Sequence, residues 1–174
     1  MDEIEIVEYN SNWTNMFEEE AESIRKAVEK DLIAEIQHIG STAVPGLAAK
    51  PVIDIMVGLH DLSDGGKIIQ PLEDLEYVFW ADNPSPEKIF FVKGMPPYGK
   101  KRTHHVHVVE ISGEFWQRRL FRDYLRIHPE EAYRYEKLKR ELAAQFRNDR
   151  EAYTQGKSDF VKVIMEKARA KFSI

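Results

Sequence analysis

The run PVIDIMVG at residues 51–58 constrains the fold more than any other stretch of this chain. Val52, Ile53, Ile55, Met56 and Val57 leave almost no polar face, so the segment reads as a strand buried on both sides. Such a strand belongs inside a sheet that has other elements packed against it. One carboxylate, Asp54, interrupts it. Residues 52, 54 and 56 of a strand share a face, so Val52 and Met56 flank the acid. An unpaired carboxylate among such neighbours takes up a proton or costs several kcal/mol. A metal ion or a basic partner relieves that cost. Hydrogen bonds from backbone amides, or an arginine in the core, would relieve it too.

Around this strand the hydrophobic periods divide the chain into a helix, a mostly β middle and a helical end. Trp13, Met16, Phe17, Ala21, Ile24, Ala27 and Val28 recur at helical spacing and predict a first helix of about five turns. Residues 34–39 read as a strand running into a Gly40-Ser41 corner. Ile68, Ile69, Leu72 and Leu75 suggest a helix with Pro71 near its start. Residues 77–80, 88–92 and 104–110 read as three further strands. The tract KGMPPYGKKR before the last of them reads as a long hairpin or a mobile flap. From Glu114 the pattern predicts three helices. One carries Phe115, Leu120, Phe121, Tyr124 and Leu125 and ends near His128-Pro129. A second carries Tyr133, Leu138, Leu142, Ala143 and Phe146. A third starts at Ser158 or Asp159 and carries Phe160, Val161, Ile164, Met165 and Ala168. The expected class is α+β, a mixed sheet covered by helices with a helical C-terminal third. No linker marks a boundary, so residues 1–174 are expected to form a single domain.

Composition limits the function classes. The 174 residues contain no cysteine, which excludes disulfides, thiolate metal sites and a cysteine nucleophile. No apolar run reaches membrane-spanning length and the start is acidic, so a cytoplasmic protein with no membrane partner is expected. The net charge of −5 argues against a nucleic-acid partner. The acids cluster early, and the later residues carry a mild excess of bases. That excess suits either ordinary solvated helix faces or a phosphate-bearing ligand. Oligomeric state is not legible.

The residues suited to chemistry fall in three places. Gly40 lets backbone approach a ligand, and Ser41 adds a hydroxyl to the amide donors of the corner. Asp54 follows on the next strand. In THHVHVVE, His105 and His107 alternate onto one strand face, with His104 and Glu110 on the other. Two imidazoles at that spacing can chelate one ion or act as acid and base beside a phosphate. Lys50, Arg102 and Arg122 are candidates to neutralise phosphate charge, the arginines in bidentate fashion. Arg126 lies one turn from Arg122, and Lys157 in QGKSDF is a weaker candidate. Solvent exposure, or pairing with acids such as Asp123, is the competing reading for these bases, and it is preferred for Lys100 and Lys101.

HIGSTAVPGLAAKPVIDI, RTHHVHVVE and FRDYLRIHPE, in that order, resemble the GrpB (UPF0157) family over nearly the whole chain. More distantly, the pattern resembles the nucleotidyltransferase superfamily with the DNA polymerase β-like fold. That resemblance implies a nucleotidyltransferase-like mixed sheet, with Gly40 and Ser41 contacting nucleotide phosphates and Asp54 as the first metal ligand. It also implies an acid at position 56 to help hold a second Mg²⁺, and this chain has Met56 there. A thioether is a poor ligand for a hard cation, so His105 and His107 are expected to complete the metal set with Asp54. That donor set suits Mn²⁺, Zn²⁺ or Fe²⁺ better than Mg²⁺. The expected function is a metal-dependent nucleotidyltransferase-like protein, or a phosphate-ester hydrolase, acting on a nucleotide or other small phosphorylated molecule. The alternative is a catalytically inactive module that binds a nucleotide or a CoA-like ligand, since family members also occur joined to dephospho-CoA kinase.

Overall fold

Asn12–Ala27 forms α1, whose apolar stripe buries Trp13, Phe17, Ala21 and Ile24. Arg25 and Lys26 lie in its last turn, where positive charge opposes the helix dipole. Ala27, expected on the stripe, is exposed, and the acid Glu20 takes a buried place instead. The computed structural model describes residues 3–172. After α1 come β1 (Ile33–Ile39), β2 (Ile53–Leu59), α2 (Gly66–Asp74), β3 (Tyr77–Phe79), β4 (Lys88–Lys93) and β5 (His104–Glu110). Four helices follow: α3 (Arg119–Ile127), α4 (Pro129–Gln145), α5 (Arg150–Gly156) and α6 (Ser158–Phe172). The class is α+β, with a mixed five-stranded sheet and a helical C-terminal third, as expected. No described helix is long and apolar enough to cross a membrane.

The backbone separates into two compact units whose segments interleave along the chain. One comprises Asn12–Ile39 and Val52–Gln117, and therefore the whole sheet. The other is built from the stretch up to Ser11, from Gly40–Pro51, and from Arg118 onward.

In the sheet unit the strand order is β1-β2-β5-β4-β3. β2 and β5 run parallel, while the other neighbours are antiparallel. Strands with partners on both edges tolerate little polar surface, and Ile53, Ile55, Met56, Val57 and Leu59 of β2 are all fully buried. Full burial of each such side chain is worth about 1.5–3 kcal/mol. One face of the sheet carries a buried polar network. Tyr77 Oη and Lys93 Nζ both donate to Glu20 Oε1, at 2.9 and 2.8 Å, and His104 Nε2 lies 4.0 Å from Glu20 Oε2. His104 is thus a packing residue against α1, and burial pushes its pKa down despite the acid beside it.

β4 and β5 are joined by a connection with its own backbone hydrogen bonds. Thr103 N donates to Lys93 O at 2.8 Å, and the amides of Tyr98 and Gly99 donate to Met95 O. The connection turns at Gly94, where φ is 92° and an added Cβ would sit 2.1 Å from Lys101 O. Backbone oxygen cannot give way, so Gly94→Ala is expected to cost about 3 kcal/mol from overpacking and left-handed strain. Chemical denaturation checks this, and a variant as stable as wild type would contradict it.

In the helical unit, Leu120, Tyr124, Leu125, Tyr135, Ile164 and Ala168 form the core, with Val44 and Leu47 of the Gly40–Pro51 segment packed into it. That segment is pinned at one peptide: Ala48 N donates to Glu136 Oε1 at 2.9 Å, and Lys139 Nζ donates to Ala48 O at 2.5 Å. Arg126 Nε donates to Ala43 O at 2.9 Å. Two local expectations are corrected. Residues Glu114–Arg118 form a 3-10 turn before α3 rather than its first turn. α5 was not foreseen; Asp149 caps it by accepting from Ala152 N at 3.0 Å.

Candidate metal centre

The parallel register of β2 and β5 sets Asp54 beside His105 and Met56 beside His107. Neighbours in register project on the same face, so one acid and two imidazoles meet on the sheet. His105 Nδ1 lies 3.2 Å from Asp54 Oδ1, and His107 Nε2 lies 3.4 Å from the same oxygen. Ligand atoms of the three residues all fall within 4.8 Å of one another. Among the described residues this is the only such grouping of histidines and acids.

Aromatic rings wall the centre. Phe90 faces His107 across the β4–β5 pair, with ring centroids 5.0 Å from His107 and 5.2 Å from His105. Phe115 stacks on His107 at 6.3 Å. Lys88 Nζ lies over both phenyl rings, at 5.1 and 5.2 Å. Arg102 Nη1 is 3.4 Å from His105 Nε2, and its guanidinium carbon stands 5.5 Å from the Trp80 ring centroid. Phe90, Phe115, Lys88 and Trp80 carry no motif. Phe90 was within reach of pattern reasoning only once β4 and β5 were known to pair, since it stands opposite His107.

Electrostatics favour an ionised Asp54. Burial pushes the Asp54 pKa up, but the hydrogen bonds and charges of His105 and His107 outweigh it and hold the carboxyl far below its usual range. Burial pushes His107 down, with the nearby Lys88 and His105 adding to that against the opposing pull of Asp54. The donors are therefore a carboxylate oxygen and imidazole nitrogen, which suit a divalent transition ion. His107 Nδ1 is buried and has no hydrogen-bond partner among the described residues, as befits a ring held by its walls rather than by a second acceptor.

Met56 is completely buried and packs with Val109, Phe115 and Trp116. The position at which the resemblance to nucleotidyltransferases implies a second acid is here part of the core. Gly40, Ser41, Lys50 and Arg122 belong to the helical unit. Gly40 has φ 74° and opens a single 3-10 turn, Ser41–Ala43, so the corner leads into no extended helix. Lys50 Nζ stands over the Tyr153 ring. Arg122 is buried, and its Nη2 pairs with Asp123 at 2.8 Å. Glu110, on the far face of β5, accepts from Leu62 N and from Ser112 Oγ. Lys100 and Lys101 are exposed, as preferred.

A family model described as GrpB protein matches residues 3–167. The chain belongs to the GrpB family. Within it, the chain is 46% identical to a UPF0157 protein of Pseudomonas aeruginosa, over 97% of this chain and 69% of that protein. It is 35% identical to the glutamate-rich protein GrpB of Alkalihalophilus pseudofirmus, over 94% of each. The crystal structure of the conserved protein GrpB from Enterococcus faecalis is similar at a TM-score of 0.87 and 31% identity, over 98% of this chain and all of that one.

Proposed function

We propose that this GrpB protein is a metal-dependent, nucleotidyltransferase-like protein that handles a nucleotide or another small phosphorylated molecule through one divalent ion. The convergence of Asp54, His105 and His107 carries this reading. Three protein ligands leave positions open for water or a phosphate oxygen, and Mn²⁺, Zn²⁺ or Fe²⁺ suit the donors better than Mg²⁺. When bound, the ion would polarise a phosphoryl oxygen or activate water. Burial of Met56 disfavours a two-ion clamp and leaves single-ion chemistry. The same burial supports the second reading, a module that binds the phosphorylated ligand without turning it over. A screen of nucleoside triphosphates, CoA derivatives and sugar phosphates with each metal separates the two. Metal-dependent turnover that disappears in Asp54→Asn supports the enzyme. Metal-dependent binding without turnover supports the module, and neither metal nor ligand binding refutes both.

Arg102 has a defined part in this scheme. A guanidinium only donates hydrogen bonds, so His105 Nε2 accepts from it and the ring proton sits on Nδ1, facing Asp54. A His105 ring that helped Asp54 and His107 to hold an ion would offer Nδ1 to it and carry its own proton on Nε2. In that form His105 would no longer accept from Arg102, whose guanidinium would suit an anionic ligand. Arg102→Met is therefore expected to tighten metal binding, by about threefold or more, while weakening the phosphorylated ligand. Titration calorimetry of both steps checks this, and weaker metal binding in the variant would contradict it.

A further inference from the structure

The two edges of the sheet differ. β3, at one end of the strand order, is only three residues long. β1, at the other end, runs for seven residues as IAEIQHI and has β2 as its one neighbour among the described strands. Edge strands resist further pairing by being short or by carrying proline, lysine or a bulge. β1 holds neither proline nor lysine, and its irregularity lies at its start, between Ile33 and Glu35. From Glu35 to Ile39 its register with β2 is regular. Glu35 is exposed, and Ile33, Ala34, Gln37 and Ile39 are half-buried. A groove of about 760 Å³ lies between this strand and the C-terminal half of α1. Ile33 and Ile36 line it together with charges of both signs, among them Glu22, Glu35, Arg25 and Lys26.

Acids and bases in one groove suit neither a purely acidic nor a purely basic partner, since each meets like charge there. They suit a copy of the same surface, because a two-fold contact sets the patch against itself and lets each sign meet its opposite. We propose that β1 pairs antiparallel with β1 of a second copy, about a two-fold axis at Ile36, joining two five-stranded sheets into one. The backbone groups of β1 that face away from β2 supply the hydrogen bonds. Its side chains select the register. The axis keeps each side chain on its own face of the sheet, so it stands at a residue rather than between two. At Ile36 it sets Glu35 opposite Gln37 on both sides of the axis, with Ala34 opposite His38 and Ile33 opposite Ile39. An amide that donates and a carboxylate that accepts make a compatible cross-strand pair, and these two already bond within the chain. An axis at Glu35 would set carboxylate against carboxylate, and one at Gln37 would leave Glu35 opposite Ile39. None of Asp54, His105 and His107 takes part, so the interface does not depend on the metal reading.

The chain has no cysteine, so one introduced thiol reports on its own symmetry mate. Opposed Cα atoms of an antiparallel pair stand about 4.5–5.5 Å apart, within disulfide range. In the presence of chelator, brief oxidation of Ile36→Cys by diamide is expected to give a covalent dimer. Lys67→Cys, at an exposed site on α2, is expected to stay monomeric under the same treatment. Sedimentation equilibrium of the wild type is expected to show a dimer with a dissociation constant at or below about 10 µM. Gln37→Glu sets carboxylate against carboxylate on both sides of the axis and is expected to weaken the dimer about tenfold or more. Combining it with Glu35→Lys restores opposite charges and should recover the dimer. Circular dichroism verifies folding, and if Ile36→Cys does not fold, the two charge variants decide the matter. A wild-type chain that stays monomeric up to about 100 µM would overturn the proposal. So would a dimer that neither weakens in Gln37→Glu nor cross-links through Ile36→Cys.

Discussion

Asp54→Asn is expected to lower the affinity of the chain for Mn²⁺ or Zn²⁺ on the order of 100-fold or more, equivalent to about 3 kcal/mol. Asn keeps the shape and an oxygen that can accept from His105 and His107, so the sheet should fold as before. What it removes is the one negative charge among the three donors. A dication held by two neutral imidazoles and an amide oxygen, between the Phe90 and Phe115 rings, would then lack a counter-charge in a poorly solvated place. Titration calorimetry and metal analysis of wild type and variant check this, with far-ultraviolet circular dichroism to verify folding. His107→Ala should weaken binding as well, because it deletes a ligand while keeping the charge. Equal metal content in wild type and folded Asp54→Asn protein would dismiss the metal centre.

The second large effect concerns Lys139. Its pKa is near 7 in the folded chain, against about 10.5 for an exposed lysine. Between those values the unfolded chain holds a proton that the folded chain has given up. The unfolded state therefore binds more protons, and stability rises with pH across this window. From pH 7 to pH 9 the gain is about 2 kcal/mol, at up to 1.36 kcal/mol per pH unit. Lys139→Met removes the titrating group and should flatten that rise, at the cost of the hydrogen bond to Ala48 O. Urea denaturation at several pH values in chloride buffer measures both slopes. Equal slopes in wild type and variant would show that Lys139 is solvated in the folded state.

Family membership bears on these expectations only through shared architecture. The match to the GrpB protein of Enterococcus faecalis runs over the whole of that chain, so the two proteins share this architecture. Asp54, His105 and His107 owe their convergence to that architecture, because the parallel β2–β5 pairing brings together residues that are 51 and 53 positions apart in the sequence.

By itself, the sequence determined the elements whose side chains repeat with one clear period. The apolar run at β2 required a strand buried on both faces. The stripe of α1 required an amphipathic helix, and the alternation of β5 separated His105 and His107 from His104. It also singled out Asp54 as an acid needing a partner, because a charge in an apolar strand is costly wherever that strand ends up. Short elements with weak periods escaped it. α5 buries one residue, Tyr153, and the 3-10 turn before α3 is too brief to show a period. Tertiary structure alone decided which strands are neighbours, and with that which side chains meet. Pairing β2 with β5 rather than with β3 turned a lone acid and two histidines into a donor set, and pairing β4 with β5 supplied Phe90. It also made Lys139, unremarkable on an amphipathic helix, a buried amine held between the Tyr135 ring and Ala48 O. The physical reason is the same in each case. Periodicity records which face of an element avoids water, whereas the energy of a charge depends on every group around it, and those groups come from distant parts of the chain.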